Sequence, residues 1–420
     1  MQRAVPVADV KSLVLSKLER AKKASLVLAQ LSTNEKNAIL MKMADALEKN
    51  EGEILAANAL DLKSLKVPES MKDRLMLNSS RLKAIASDVR SVALLPDPIG
   101  EKEGKEMKNG LRIAKVRVPF GVIGVIYESR PNVTADVASL CIKSGNACVL
   151  RGSASALNSN RAIAKAISSA VPEGAVELID TEDRSAVDVL MNARGYLDII
   201  IPRGGKELIS HVVGNSKVPV IETGEGNCHI FVDESADLGM AERIIINAKC
   251  QRPSVCNAAE KVLVHERIAG EFLPILGKKL KENGVELRIC EKSAKILGDV
   301  KVPFILATGQ DWGTEYLDLI IGIKIVGDVD EAISHINKYN TKHTEAIITK
   351  SDANAKKFVA LVDAAAIMVN ASTRFTDGGQ FGMGAEIGIS TQKMHARGPM
   401  GLRELTTYKY IVNGNGQIRS

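Results

Sequence analysis

The chain is predicted to be an α/β protein built on two doubly wound parallel sheets. Three observations carry this. The first hundred residues read as helices alone. After residue 110, short apolar β-type runs alternate with helical stretches. A second alternating block of the same kind runs from about 235 to 370. Strand–helix alternation implies parallel strands joined by crossover helices.

The elements follow in order. Val10, Leu13, Val14 and Leu18 fall at helical spacing. Ser32 followed by Glu35 is a capping-box pattern opening a second helix with Ile39, Leu40, Met43 and Leu47. A third helix is expected over 71–94, stopped by Pro96 and Pro98. Residues 111–118 (LRIAKVRV) alternate polar and apolar, the pattern of a half-buried strand. Strands are expected at 122–127, 148–150, 176–179 and 197–201, with helices at 134–143, 158–169 and 186–194. The second block predicts strands at 261–264, 323–326, 346–349 and 367–369, with helices at 240–249, 269–283 and 331–338. A Gly-rich segment, 377–388, precedes a final strand over 405–412.

Composition narrows the function classes. The 420 residues are 45% hydrophobic and 25% charged, as in ordinary globular proteins. At roughly 100–200 residues per domain, two or three domains are expected. The net charge of +6 is mild, with no dense basic run, and aromatics make up only 3%. Both facts disfavour a nucleic-acid binder and suit steering of an anionic small ligand. The six cysteines form no C-x-x-C pair and no zinc-type spacing, so no metal site and no disulfide framework is expected. The start of the chain shows no targeting pattern and no apolar run is long enough to span a bilayer, so a reducing cytoplasmic setting is expected.

Neither G-x-G-x-x-G nor a Walker A loop occurs. Two βα junctions could bind a dinucleotide instead. At the first, Arg151, Gly152 and Ser153 follow an apolar strand and would sit at the carboxyl edge of the sheet. At the second, Pro202, Arg203, Gly204 and Gly205 lead into a helix start whose N–H groups suit a pyrophosphate. Each is equally readable as a plain βα turn. Cys256 lies in a loop between a helix and a strand, with Arg252 near enough to favour a thiolate. Cys141 and Cys148 fall in apolar surroundings and read as buried and inert. Glu222 ends an apolar strand beside glycines, as a general base, a ligand group or a turn residue.

These pieces resemble the aldehyde dehydrogenase superfamily: the Glu222-Thr223-Gly224 strand end, Cys256 beyond it, the segment 119–126 (PFGVIGVI), Lys143 to Arg151, and Gly398 through Lys409. The closer resemblance, over essentially the whole chain, is to the branch that reduces γ-glutamyl phosphate. It is carried by YESRPNVTAD (127–136), LRGSASALNSN (150–160), IPRGGKELI (201–209), ETGEGNCHIFVDESAD (222–237), QRPSVCNAAEK (251–261), EYLDLI (315–320), STRFTDGGQFGMGAEIGIS (372–390) and HARGPMGLRELTTYK (395–409).

The resemblance implies an aldehyde dehydrogenase-like fold. It assigns 1–108 and 123–234 to an NADPH-binding domain and 235–398 to a catalytic domain. Residues 109–122 and 399–420 become a β-flap for oligomerisation. It implies NADPH-dependent reduction of γ-glutamyl phosphate to glutamate 5-semialdehyde through a Cys256 thioester, in the second step of proline biosynthesis. Arg130 and Asn132 are both candidates for the oxyanion donor, and Glu315 for the group that grips the nicotinamide ribose. The superfamily's ribose-binding acid after the cofactor strand is missing at 151–155, which favours NADPH over NADH. For the substrate's α-carboxylate and α-ammonium, Arg130, Arg374 and Asp377 are candidates, since Arg forks suit carboxylates and Asp suits ammonium. Glu222 would shuttle a proton or line the site. A homodimer or larger homo-oligomer is expected, and glutamate 5-kinase is a candidate partner. Two rival readings are NAD(P)-dependent oxidation of a small aldehyde to its acid, and, on the pI of 8.8 alone, a nucleic-acid binder.

Overall fold

A computed structural model of the chain describes residues 7–64, 72 and 74–419. They fall into two compact units. The first takes the described residues up to Thr223, with Gly382–Gly388 and those from Met400. The second takes Gly224–Phe381 and Ile389–Pro399.

The first unit opens with helices α1 (Val7–Leu28), α2 (Thr33–Lys49) and α3 (Glu51–Ser64), and α4 spans Ser79–Leu94. The Ser32–Glu35 capping box forms as the spacing predicts. The helix expected over 71–94 is interrupted: residues 72, 74 and 75 are helical, and α4 begins anew at 79. Asn78 accepts the Arg81 N–H as its cap, and residues 76–78 are not helical. Met71 and Asp73 lie outside the described residues.

Strands β1 (Lys102–Glu106) and β2 (Arg112–Pro119) are followed by β3 (Val122–Tyr127), α5 (Asn132–Lys143), β4 (Ala147–Gly152) and α6 (Leu157–Ser168). Then come β5 (Val176–Leu178), α7 (Ser185–Met191), β6 (Ile199–Arg203) and α8 (Lys206–Asn215). Strands β3 to β6 make a parallel sheet in the order β5-β4-β3-β6. The chain winds outward from β3 through β5 and returns to the other side of β3, so the winding reverses between β3 and β6. That reversal opens a crevice at the carboxyl ends of the strands, where ligands bind in such sheets. Helix α1 packs on β4 and α7, while α2, α3 and α4 pack on α5 and α6.

The second unit runs β7 (Cys228–Val232), α9 (Leu238–Cys250), β8 (Ala259–His265), α10 (Glu266–Glu282), β9 (Glu286–Ile289) and α11 (Glu291–Asp299). It continues with β10 (Ile305–Leu306), β11 (Ile320–Val326), α12 (Val329–Tyr339), β12 (Thr344–Ile348), α13 (Asp352–Leu361) and β13 (Ala366–Val369). Seven of these strands form one parallel sheet, β10-β9-β11-β8-β7-β12-β13. Its residues alternate between two apolar cores. Ile230 and Val232 join the cluster with Phe272 and Leu276 of α10, while Phe231 joins Ile333, Ile336 and Phe358 of α12 and α13. Both faces are therefore covered, as a doubly wound sheet requires. A short pair, β14 (Ile389–Ser390) and β15 (Gly398–Pro399), lies in the same unit.

The boundary expected at 234/235 falls at 223/224, because β7 hydrogen-bonds to β8 and β12 of the second sheet. The flap also begins earlier than residue 109. Strand β1 pairs antiparallel with β2, and β2 with β16 (Thr406–Asn413), giving a three-stranded sheet. β1 (KEGKE) is exposed throughout, so no apolar pattern marks it.

The buried Asn146 side chain joins this sheet to the parallel one. Its Oδ1 accepts the Gly121 N–H (2.9 Å), and its Nδ2 donates to Ser144 Oγ (2.8 Å) and to the Leu405 carbonyl (2.8 Å), just before β16. Asn146→Ala leaves those buried partners unsatisfied, each costing about 1–3 kcal/mol. The expected loss is about 2–4 kcal/mol, read from the shift of the urea unfolding midpoint.

Candidate active site

In the first unit the expected residues gather at the carboxyl edge of the parallel sheet. Glu128 leaves the end of β3 and its carboxylate accepts the Gly205 N–H (2.9 Å) at the start of α8. A β-carbon on Gly204 would stand 2.5 Å from that carboxylate, so the glycine leaves room for it in this position. The helix start expected to receive a pyrophosphate thus holds a side-chain anion, drawn by the same N–H groups and dipole. Ser129, at φ +45°, is held by Ser153, whose Oγ accepts its N–H (3.1 Å) and also pairs with Ser155 (2.6 Å).

Arg151 is buried at the end of β4. Its guanidinium donates to the Gly152 carbonyl (2.6 Å), while Nε has no partner. Burial, and then the charge of Arg184, depress its pKa, so an anion there would relieve both. Arg151, Ser153, Arg184 and His211 line a cleft of about 510 Å³ together with Glu128 and Glu207. Pro202 contributes its carbonyl to the Thr223 hydroxyl (2.7 Å). The half-buried Glu222 is fixed between that anchor and Ile221, whose N–H bonds Ile200.

In the second unit the candidates sit at the opposite, amino edge of the sheet, in the turns before β7, β8 and β11. Cys256 is half-buried in the turn before β8. Its carbonyl accepts the Cys228 thiol (3.2 Å), and Gly226 packs directly on its backbone. Glu315, before β11, accepts the Gly226 N–H (2.7 Å). Burial raises the Glu315 pKa, opposed by that hydrogen bond.

Arg374 braces both sides of the cysteine. Its Nε donates to Gln251 Oε1 (2.9 Å), and its guanidinium also bonds the Asn257 side chain. Asn257 Nδ2 in turn donates to the Thr376 carbonyl (3.0 Å). Asp377 Oδ1 accepts the N–H groups of Gly379 (2.9 Å) and Gln380 (3.2 Å), closing a turn.

The second unit therefore brings Cys256, Arg374 and Glu315 into one bonded neighbourhood, and the first brings Arg151, Ser153, Arg203, Gly204 and Gly205 to one sheet edge. Asn132 is otherwise engaged: its Nδ2 donates to Asp136 Oδ2 (2.8 Å) one helical turn on. The Arg130 carbonyl accepts the Val133 N–H (3.1 Å). Sequence reasoning passed over Glu128, Arg184, Gly226, Cys228 and Asn257. The Cys256 neighbours and the glycines of 224–226 were the visible signals. Cys141 and Cys148 are buried as expected, and the Cys148 thiol is pushed up by its hydrogen bond to Cys141 and by burial. All six cysteines are free, and among the described residues no cluster could hold a metal ion. Nor is any described helix long and apolar enough to cross a membrane.

Residues 4–292 match the aldehyde dehydrogenase family, and the chain belongs to it. Within that family it belongs with the γ-glutamyl phosphate reductases. The γ-glutamyl phosphate reductase of Caldanaerobacter subterraneus subsp. tengcongensis is 58% identical over 375 residues, 88% of each chain. The crystal structure of the γ-glutamyl phosphate reductase of Thermotoga maritima is 55% identical, covers 97% of this chain and 100% of its own, and superposes with a TM-score of 0.94. The acetylating aldehyde dehydrogenase of Geobacillus thermoglucosidasius, 19% identical over 99% of both chains with a TM-score of 0.73, shares the fold.

Burial pushes the Asp136 carboxyl up to about 7, against the Asn132 hydrogen bond. At low pH both folded and unfolded chains hold this proton. As pH rises toward 7 the unfolded chain releases it first, so stability falls across that window. Asp136→Asn should therefore raise the melting temperature more at pH 8 than at pH 5, by about 2–4 °C per kcal/mol recovered. Thermal scans at the two pH values check this.

Proposed function

We propose that the protein reduces γ-glutamyl phosphate to glutamate 5-semialdehyde with NADPH, as the second step of proline biosynthesis. The observation that carries this reading is the braced Cys256 turn, in a chain more than half identical to γ-glutamyl phosphate reductases. The Cys256 thiolate attacks the acyl carbon. A C–S bond forms as the carbon–oxygen bond to phosphate breaks, and phosphate leaves with the electron pair. NADPH, when bound, supplies the hydride that reduces this thioester. The C–S bond then breaks, releasing the aldehyde and restoring the thiolate. The Cys256 backbone N–H is one oxyanion donor. For the second, Arg130 and Asn132 both remain candidates, since Asn132 spends only one of its two amide N–H donors on Asp136.

The residues present fit the cofactor. The unpartnered Nε of buried Arg151, with Arg184 and Ser153 beside it, would hold a 2′-phosphate. Pro202 to Gly205 would border the pyrophosphate, which would compete with the Glu128 carboxylate for the Gly205 N–H. Glu315 would take the nicotinamide ribose. Arg374 keeps donors beyond the two used on Gln251 and Asn257 for a substrate carboxylate, and Asp377 keeps Oδ2 for the ammonium. Glu222 lines the site or moves a proton rather than activating water, because hydrolysis of the thioester would waste it.

The first unit holds the cofactor, the second the nucleophile, and the three-stranded flap pairs subunits. Exposed Tyr408, Tyr410 and Val412 on the edge strand β16 support at least a homodimer. Glutamate 5-kinase, as the source of a labile acyl phosphate, is a partner in the cytoplasm.

Semialdehyde oxidation assayed with and without inorganic phosphate tests the reaction. Oxidation should need phosphate, and equal rates without it would overturn the reading in favour of aldehyde oxidation to the acid. Cys256→Ser should abolish activity, while Glu222→Ala keeps a substantial part of the reductase rate. Arg151→Gln should raise the Michaelis constant for NADPH roughly tenfold, the loss of one charge-assisted contact, with little change for NADH. Initial-rate kinetics with both cofactors check this.

A further inference from the structure

The amino end of β8 carries a buried charge cluster that the chemistry above does not use. Lys249 of α9, Glu260 and Lys261 are all buried, and Lys249 Nζ lies 3.2 Å from Glu260 Oε1. Buried charges are costly unless paired and hydrogen-bonded, so such a cluster in the second core calls for a reason.

The local backbone supplies one. Cys228 of β7 pairs with Ala259, but His229 pairs with Lys261, which leaves Glu260 as an extra residue in β8. A bulge of this kind re-aims side chains, and bulges concentrate beside active sites. Here Glu260 and Lys261, adjacent in sequence, both reach the loop before β11. Glu260 accepts the N–H of Tyr316 (3.2 Å) through Oε2 and of Leu317 (3.3 Å) through Oε1. Lys261 Nζ donates to the Thr314 carbonyl (2.7 Å) and stands 4.3 Å from the centre of the Tyr316 ring. The residue between these anchors is Glu315.

Two further features show that the loop is held rather than merely touched. Leu317 has φ +55°, a left-handed conformation that a non-glycine residue keeps only where its surroundings impose it. Gly322, paired with Lys261 across β11 and β8, leaves the passage for the lysine: a β-carbon there would meet Lys261 Cδ at 2.6 Å.

We propose that Glu260 and Lys261 are positioning residues for the nicotinamide cofactor: gripping the peptide groups on both sides of Glu315, they fix where its carboxylate stands. This rests on the reading that Glu315 takes the cofactor ribose. Tyr316 OH also donates to Asp311 Oδ1 (2.8 Å) and Thr314 Oγ1 to the Gln310 carbonyl (2.9 Å), but these bonds tie the loop to its own preceding turn, whereas Glu260 and Lys261 tie it to β8. Glu315 itself spends one oxygen on the Gly226 N–H, so a shift of the loop moves the acid away from both the ribose and the Cys256 turn that Gly226 supports.

The test is a double-mutant cycle on NADPH affinity, read by fluorescence titration of the whole protein. Glu315→Gln should weaken NADPH binding roughly tenfold, the loss of one charge-assisted hydrogen bond. Lys261→Met should weaken it by a similar factor, and Lys261→Arg should recover most of the loss because it keeps a donor of similar reach. The double variant should bind no more weakly than Glu315→Gln alone, since Lys261 acts only through Glu315. If Lys261→Met does not fold, Glu260→Gln takes its place in the same cycle. Parent-like affinity in Lys261→Met beside a weakened Glu315→Gln overturns the positioning role, as do losses that multiply in the double variant. If Glu315→Gln itself binds NADPH like the parent, the ribose reading fails and the proposal fails with it.

Discussion

Gly226 lies so close to Cys256 that a β-carbon on it would stand 1.4 Å from the Cys256 carbonyl oxygen. No side chain can be accommodated at that distance. This single contact lets the turns before β7 and β8 lie on one another, and the other parts of the Cys256 setting are arranged around it. The Gly226 N–H is taken by Glu315 from the turn before β11, and the Cys256 carbonyl by the Cys228 thiol at the start of β7. Three turns from adjacent strands are thereby bonded into one surface. Arg374 adds a fourth segment by holding Gln251 and Asn257 on either side of the cysteine. The role proposed for Cys256 calls for such bracing, because small displacements of a nucleophile are costly in rate.

The two units organise their charges differently. In the first, an anion already occupies the helix start at Gly205, and a cation, Arg151, stands buried with an unused donor. That pairing of a displaceable carboxylate with an unsatisfied guanidinium suits a surface that exchanges its own charges for those of an anionic ligand. In the second, buried Lys249, Glu260 and Lys261 are hydrogen-bonded internally and tie β8 to its neighbours. Cys228 shows the contrast with Cys256 among the thiols. Burial pushes the Cys228 thiol well up, which keeps it protonated as a hydrogen-bond donor.

Much of the fold was legible in the sequence because burial on both faces writes continuous apolar runs, as in β3 and the start of β6, and half-burial writes alternation, as in β2. Helix α2 was legible from its capping box. Helix α3 was not, because its inward side is partly polar: buried Asn58 and Asp61 bind Leu75, Leu77 and Ser159 across the fold. Strand β1 has no apolar residue to reveal it and exists only through its ladder with β2. The boundary between the units falls before β7 because β7 pairs with β8 and β12 of the second sheet, which no local pattern in the chain marks.

The sequence by itself determined the class of fold, the alternation of its elements, the nucleophile candidate and the family, since these rest on local periodicity and on motifs contiguous in the chain. Only the tertiary structure decided what the motifs touch. It bonded Asn132 to Asp136, set Glu128 on the start of α8, held Arg374 to Gln251 beside the Cys256 turn and Asp377 to its own turn, and gave Lys261 a carbonyl 53 residues away in the chain. The physical reason is that hydrogen-bond partners and packing contacts depend on distances in space between residues remote in sequence, and no local pattern encodes those distances.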